Sequence, residues 1–263
     1  MNGATIARTV GFAGSDWLGR GKASVRLSPA GPRAGIWFNG DVRATVANAR
    51  VSGHATCLGR GSHRVRMVEH LLAACFGLGV TDLAVETDGT ELPIGDGSAE
   101  PYVRLLRRAG IVRYQEGPEP ARLTRPVRVK EGARFMAAVP ARGLVINCLT
   151  RFPEFGSQFC ALTVTPASFI RNVARARTLV RTGISPAALG RKHGLRFRLK
   201  RVGRFVCAER WRFSEEPCRH KALDLLGDLA LLGRPLEAAV FAHMPGHHLN
   251  IAFAREIERE LEA

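Results

Sequence analysis

The sequence predicts an α+β protein built as two similar sandwich halves, each a sheet packed against a helix pair. Three observations carry this expectation. A helix ending in Leu-Gly, a strand, a polar loop and a second helix occur in that order at residues 67–110 and again at 218–263. Short runs with strand-like alternation, split by Gly, Pro and Asn, stand ahead of each block. Between the halves, Gly117-Pro-Glu-Pro120 with its polar flanks reads as a linker. The first half is therefore expected over 1–116 and the second over 117–263, with an insert at about 183–213 that has no counterpart in the first.

Taken in order, strands are expected at Ala23–Leu27, Ala34–Phe38 and Val42–Val51. Met67–Phe76 has the apolar content of a buried helix, and Gly77-Leu-Gly79 supplies its stop. A strand (Asp82–Glu86), a loop containing Pro93 and Asp96-Gly-Ser-Ala99, and a helix over about Glu100–Arg108 complete the first half. In the second, strands run within Ala121–Arg151 and at Cys160–Val164, and a helix follows over about Pro166–Leu179. The helix from Cys218 leads to Leu231-Leu-Gly233, a strand at Leu236–Ala242, a loop over His243–Asn250 and a last helix to Ala263. The insert holds nine Lys and Arg between Arg191 and Arg212 against one acid, Glu209. Within it Leu195-Arg-Phe-Arg-Leu-Lys200 alternates, so a strand there would show Leu195, Phe197 and Leu199 on one face and cations on the other.

At 263 residues with 46% hydrophobic and 24% charged, the chain is globular in composition. It has no apolar run of membrane-spanning length, and its start lacks the apolar core of a signal peptide, so a cytoplasmic protein is expected. Six Cys without a Cys-x-x-Cys pair fit neither a disulfide framework nor a zinc ribbon. The formal charge of +16 suits anionic partners, whether nucleic acid, an acidic membrane or a phosphorylated substrate, and equally an Arg-rich background that confers only solubility.

Candidate chemistry lies at the start of two helices. His220 and Asp224 are four apart, with Asp228 one turn on, so they share a helix face beside the apolar Leu223, Leu226 and Ala230. That spacing fits both a solvated polar face and a two-residue grip on a divalent ion. Glu69-His70 opens the first helix pair at the equivalent place, as a cap and surface pair or as part of a site. If the halves pack face to face, His70, His220 and Asp224 can converge as three ligands with a fourth position open, the pattern of catalytic zinc. Glu69 would then stand ready to take a proton from water.

Five segments in one order sharpen this reading: Val68-Glu-His-Leu-Leu-Ala-Ala74, Glu91-Leu-Pro-Ile-Gly-Asp-Gly-Ser-Ala99, Ala174-Arg-Ala-Arg-Thr178, Arg219-His-Lys-Ala-Leu-Asp-Leu-Leu-Gly-Asp228 and Gly246-His-His-Leu-Asn250. Together they resemble the UDP-3-O-acyl-N-acetylglucosamine deacetylase family, the zinc amidases of lipid A synthesis, over nearly the whole chain. The resemblance implies Zn2+ on His70, His220 and Asp224, with Glu69 as general base. It implies His247 as a protonated imidazole that meets the oxyanion or the leaving amine, Asp228 as the carboxylate that holds it, Thr178 as a hydroxyl near the oxyanion and Lys221 as a substrate-binding cation. His248 is the neighbour that must be told from His247, and the position after Gly246 chooses the latter. The implied substrate is a nucleotide sugar with an acyl chain, the chain running through an apolar passage formed by the insert.

Departures from the family pattern gather where the acyl chain and nucleotide would lie. Leu179-Val180-Arg181 replaces the usual Phe-Gly-Phe, Trp17-Leu-Gly-Arg-Gly21 lacks the usual His, Arg66-Met67 replaces small polar residues, and the insert is unusually basic. A deacetylase acting on another N-acetylated amino sugar is therefore the alternative substrate reading. An iron oxygenase with two His and one carboxylate lacks its usual His-x-Asp/Glu spacing here and would leave Glu69 idle. The insert could meet an anionic membrane peripherally. As a nucleic-acid platform on a dead deacetylase fold, it lacks the interleaved aromatics for stacking.

Overall fold

Strands with one apolar face assemble two main sheets. In Lys22–Pro29, Ala23, Val25 and Leu27 are buried while Lys22 and Arg26 are exposed. The computed structural model describes residues 3–17, 19, 21–60 and 63–263. Leu18 and Arg20 of the Trp17–Gly21 segment lie outside the described residues.

The first sheet has the order Val10–Ser15, Lys22–Pro29, Leu83–Thr87, Ile36–Phe38, Val42–Arg43. The second runs Val127–Glu131, Arg134–Pro140, Leu236–His243, Leu144–Phe152, Gly156–Thr163, with Ala121–Arg122 paired in parallel to the start of Leu236–His243. Numbered within its own half, each five-strand path reads 1-2-5-3-4. In both, the late central strand is antiparallel to one neighbour and parallel to the other. The expected similarity of the halves is thus visible in strand order and direction.

Helix α1 (Glu69–Leu78) precedes the central strand of the first sheet and α2 (Glu100–Ala109) follows it. Short α3 (Pro166–Asn172) and α4 (Pro186–Lys192) come next, and then α5 (Glu216–Leu229) and α6 (His247–Glu262) flank the central strand of the second sheet. Helix α5 packs on strands Leu144–Phe152 and Gly156–Thr163 with one side and on α1 with another, so the helix pairs meet between the sheets. One continuous apolar core joins both halves, from Leu27 and Phe38 through Leu71, Leu72, Leu223 and Leu226 to Val240 and Phe253. No helix among the described residues is long and apolar enough to cross a membrane.

The structure differs from the sequence-based expectation in five places. The first half has an insert of its own: Ala49–Ser52, Ala55–Arg60 and His63–Arg66 form a three-stranded sheet between the fourth strand and α1. It occupies the position that Val180–Arg181, Leu199–Val202, Phe205–Ala208 and α4 fill before α5. Val42–Val51 is therefore broken, with a 3-10 turn at Val46–Asn48. Helix α1 starts two residues late, after Met67 at φ 61°, and runs through Gly77 to the left-handed cap Gly79 at φ 73°. Gly77 is needed for space, since a Cβ there would lie 2.3 Å from the Phe169 ring. Helix α3 ends at Asn172 because Glu216 captures both the Arg177 backbone N–H at 2.9 Å and its guanidinium at 2.8 Å, which a continued helix would forbid. In the insert, strand pairing begins only at Leu199, although Leu195, Phe197 and Leu199 are half-buried and the cations between them exposed. Finally, the loop after Leu236–His243 is short, and α6 begins at His247 itself.

Candidate metal centre

Helices α1 and α5 cross in near-contact. A Cβ on Gly227 would lie 2.1 Å from the Glu69 carbonyl oxygen, so only glycine permits this approach. The crossing sets the opening residues of α1 against the inner face of α5, and the start of α6 closes the third side. His70, His220 and Asp224 are thereby brought together, with one ligand atom from each all within 4.8 Å of one another. The His70 and His220 rings stand edge to face at 89°, their centroids 5.2 Å apart.

The polar bookkeeping of this cluster fits a metal ion. Ala176 presents a carbonyl 3.0 Å from His220 Nδ1, so Nδ1 must carry the proton and Nε2 keeps its lone pair. That Nε2 lies 3.3 Å from Asp224 Oδ1, and His70 Nε2 lies 3.9 Å from the same oxygen. Asp224 Oδ1 is buried with no hydrogen-bond partner, an expensive arrangement unless a cation meets it. Burial, and then the neighbouring His220, push His70 down to about 3, and burial also lowers His220, so both imidazoles are neutral at ordinary pH, the form that could ligate a metal. Burial opposes ionisation of Asp224, but His220 and Lys221 outweigh it and hold the carboxyl well below the usual range. Lys221 Nζ donates to Asp224 Oδ2 at 2.8 Å, which orients the carboxylate.

Two further groups face the cluster. Glu69 Oε2 accepts the Thr56 N–H at 3.1 Å, and Glu69 Oε1 lies 3.9 Å from His247 Nε2. Burial raises Glu69 to about 8. His247, the first residue of α6, donates from Nδ1 to Asp228 Oδ2 at 2.9 Å. Burial would depress this imidazole, yet the Asp228 charge and hydrogen bond raise it to about 9, so it is an imidazolium at neutral pH. Asp228 is fully buried and saturated: Thr56 Oγ1 donates to Oδ1 at 2.5 Å and Asn250 Nδ2 to Oδ2 at 2.8 Å. His248 is exposed, which separates it from His247.

Glu69, His70, His220, Asp224 and His247 border a cavity of about 420 Å³, with Thr178 on its wall. Thr178 is held there by its N–H donating to the Gly97 carbonyl at 2.8 Å. Arg134, Arg181 and Arg204 also line the cavity and give it a basic rim. Lys221 borders the cavity too, though its ammonium is already engaged with Asp224.

Sequence reasoning passed over Thr56, which bridges Glu69 and Asp228, because a lone Thr in an alternating run carries no signal. It also assigned nothing to Asn250, although Asn250 closes the Gly246–Asn250 segment; its side chain both accepts the Gly246 N–H at 3.1 Å and donates to Asp228. Spacing likewise gave no hint that the buried Cys148, Cys160 and Cys218 converge beneath α5.

A family model described as UDP-3-O-acyl N-acetylglycosamine deacetylase matches residues 3–259. Proteins named UDP-3-O-acyl-N-acetylglucosamine deacetylase are similar along their length. The one from Chlamydia pneumoniae is 34% identical, covering 98% of this chain and 97% of its own. That from Oleidesulfovibrio alaskensis is 35% identical over 100% of this chain and 90% of its own, and that from Thermosynechococcus vestitus 36% over 98% and 95%. The chain belongs to the UDP-3-O-acyl-N-acetylglucosamine deacetylase family.

Proposed function

We propose that the protein is a zinc-dependent N-deacetylase that hydrolyses the N-acetyl group of a UDP-linked 3-O-acyl-N-acetylglucosamine, releasing acetate and a free amine in lipid A biosynthesis in the cytoplasm. The observation that carries this reading is the unpartnered, buried Asp224 Oδ1 facing two imidazole nitrogens, with a carboxyl and an imidazolium beside it. Two neutral imidazoles and one carboxylate suit Zn2+ held by His70, His220 and Asp224. When bound, the ion would supply Lewis acidity, polarising the amide carbonyl and making water more acidic.

The protein's own groups account for the proton traffic. Glu69, kept high by burial, moves toward its carboxylate form when a cation occupies the ligands next to it, and then takes a proton from the attacking water. His247 holds a proton on Nε2, aimed into the cavity, because Asp228 occupies Nδ1. It gives that proton to the departing nitrogen, or stabilises the oxyanion together with the Thr178 hydroxyl. Thr56 and Asn250 fix Asp228, and through it the imidazole ring. Lys221 maintains the ligand carboxylate and adds positive charge for substrate.

Substrate preference follows from the walls. Arg134 and Arg181 suit a diphosphate. Beyond Thr178 a narrow apolar slot lined by Val180, Leu189, Leu195, Phe197, Leu199 and Val206 suits a fatty chain. The insert's remaining cations make it a candidate for electrostatic contact with an anionic membrane, because Arg201, Arg204 and Arg212 are already spent on carbonyls, Glu154 and Asp96. The experiment compares acetate release from UDP-N-acetylglucosamine with and without a 3-O-acyl chain. Faster turnover of the acylated sugar supports the assignment, whereas equal rates would transfer it to another N-acetylated amino sugar.

A further inference from the structure

A sheet face that meets solvent should carry polar residues. On the second sheet it carries large apolar ones as well. Of the six large apolar side chains exposed among the described residues, five lie on its outer face: Phe135, Val139, Leu149, Phe159 and Phe241, between 37% and 55% exposed. The strand register joins them into one patch. Leu149 stands opposite Phe159 on one side and His243 on the other, and the His243 ring lies 5.4 Å from that of Phe135. Phe241 sits between Ala137 and Asn147 on the flanking strands.

The first half supplies an internal control. Its sheet has the same strand order, yet the corresponding outer face carries Ser24, Ser28, Lys22 and an Arg26–Glu86 ion pair. The fold therefore does not require an oily outer face, and such a contiguous patch marks an interaction surface. Its surroundings specify the partner. Arg128 and Lys130 stand opposite Ala137 and Phe135 at one flank, and Arg151 extends the strand beyond Leu149. All three are exposed and form no ion pair among the described residues, whereas the acid at an outer position of the central strand, Glu237, is held by Arg122 at 2.8 Å. A second copy docked face to face would bring these like charges together. The patch and the cavity lie at the same end of the sheet, since Arg134 and Phe152, which line the cavity from the opposite face, end the strands that carry Phe135 and Leu149.

We propose that the outer face of the second sheet docks on an anionic phospholipid bilayer, its aromatic side chains entering the interface while Arg128, Lys130 and Arg151 meet the headgroups. This goes beyond the deacetylase reading and does not depend on it, because binding is measured without turnover. Full-length protein is sedimented with phosphatidylglycerol/phosphatidylcholine vesicles and with phosphatidylcholine vesicles alone. The comparison includes a Phe159→Ser/Phe241→Ser double variant and an insert variant, Arg196→Gln/Arg198→Gln/Lys200→Gln. Wild-type protein should pellet with the anionic vesicles only. The double Ser variant, with unchanged charge and circular dichroism, should lose about tenfold or more in partitioning, and the insert variant should lose less. Independently of sedimentation, Trp emission of Phe159→Trp should shift to the blue, relative to wild type, on adding anionic vesicles. Wild-type binding by the double Ser variant, or no blue shift, would overturn the proposal. So would loss confined to the insert variant, or a dimer in sedimentation velocity that the Ser substitutions abolish.

Discussion

Replacing Asp228 by Asn tests how the His247 imidazole is kept charged. Asp228 Oδ2 accepts the His247 Nδ1–H at 2.9 Å in a fully buried setting, and its charge is the main influence opposing desolvation of the ring. The distance from the ordinary 6.5 to about 9 corresponds to about 3 kcal/mol in favour of the imidazolium. Asn keeps the shape and an acceptor but not the charge, so burial alone would then act and His247 would titrate below 6.5. The sign follows directly. In the wild type the protonated ring persists up to about pH 9, so the alkaline limb of kcat/KM should fall there. In Asp228→Asn that limb should move below neutrality, with activity at pH 7.5 reduced by about 10²-fold or more and zinc content unchanged. The same interaction stabilises the fold fully below the unfolded value of about 6.5 and fades as pH rises through about 9, so the variant's stability deficit should shrink at high pH. An unmoved alkaline limb in Asp228→Asn would refute the assignment of His247 as the acid held by Asp228.

Three other substitutions probe the frame and the base. Gly227→Ala forces α1 and α5 apart, because its Cβ would meet the Glu69 carbonyl at 2.1 Å; a loss of about 1–3 kcal/mol in denaturant unfolding is expected, with weakened metal affinity. Glu69→Gln should retain one zinc per chain by metal analysis while kcat falls about 10²–10⁴-fold, and unchanged turnover would remove the water-activation role. Glu216→Gln strands the buried Arg177 guanidinium without its counter-charge and should cost about 3–5 kcal/mol, read from the urea midpoint.

Much of this architecture was legible in the residues, for reasons that differ from place to place. The shared helix face of His220 and Asp224 could be read because four-residue spacing is a local property of any helix. The repeated order of helix, strand, loop and helix likewise exposed the paired halves, since it rests on apolar periodicity and on glycine stops such as Gly79 and Gly233. What escaped depends on contacts between distant segments. Thr56 acquires its place only when the 55–60 strand is laid beside Glu69 and Asp228, and nothing local to it announces that. Helix α3 reads longer than it is because Ala174-Arg-Ala-Arg177 favours helix, while Glu216 pulls Arg177 out of it. The first-half insert was hidden inside one alternating run that a 3-10 turn divides. The oily outer face of the second sheet was equally invisible, because alternation identifies two faces but not which of them meets solvent.

The central claim is that His70, His220 and Asp224 hold one zinc ion on which amide hydrolysis depends. The most direct measurement is acetate release from the acylated UDP-sugar by protein stripped with a chelator and then titrated with Zn2+. Activity should vanish on stripping and return linearly up to one equivalent per chain. Full turnover by the metal-free protein would contradict the account.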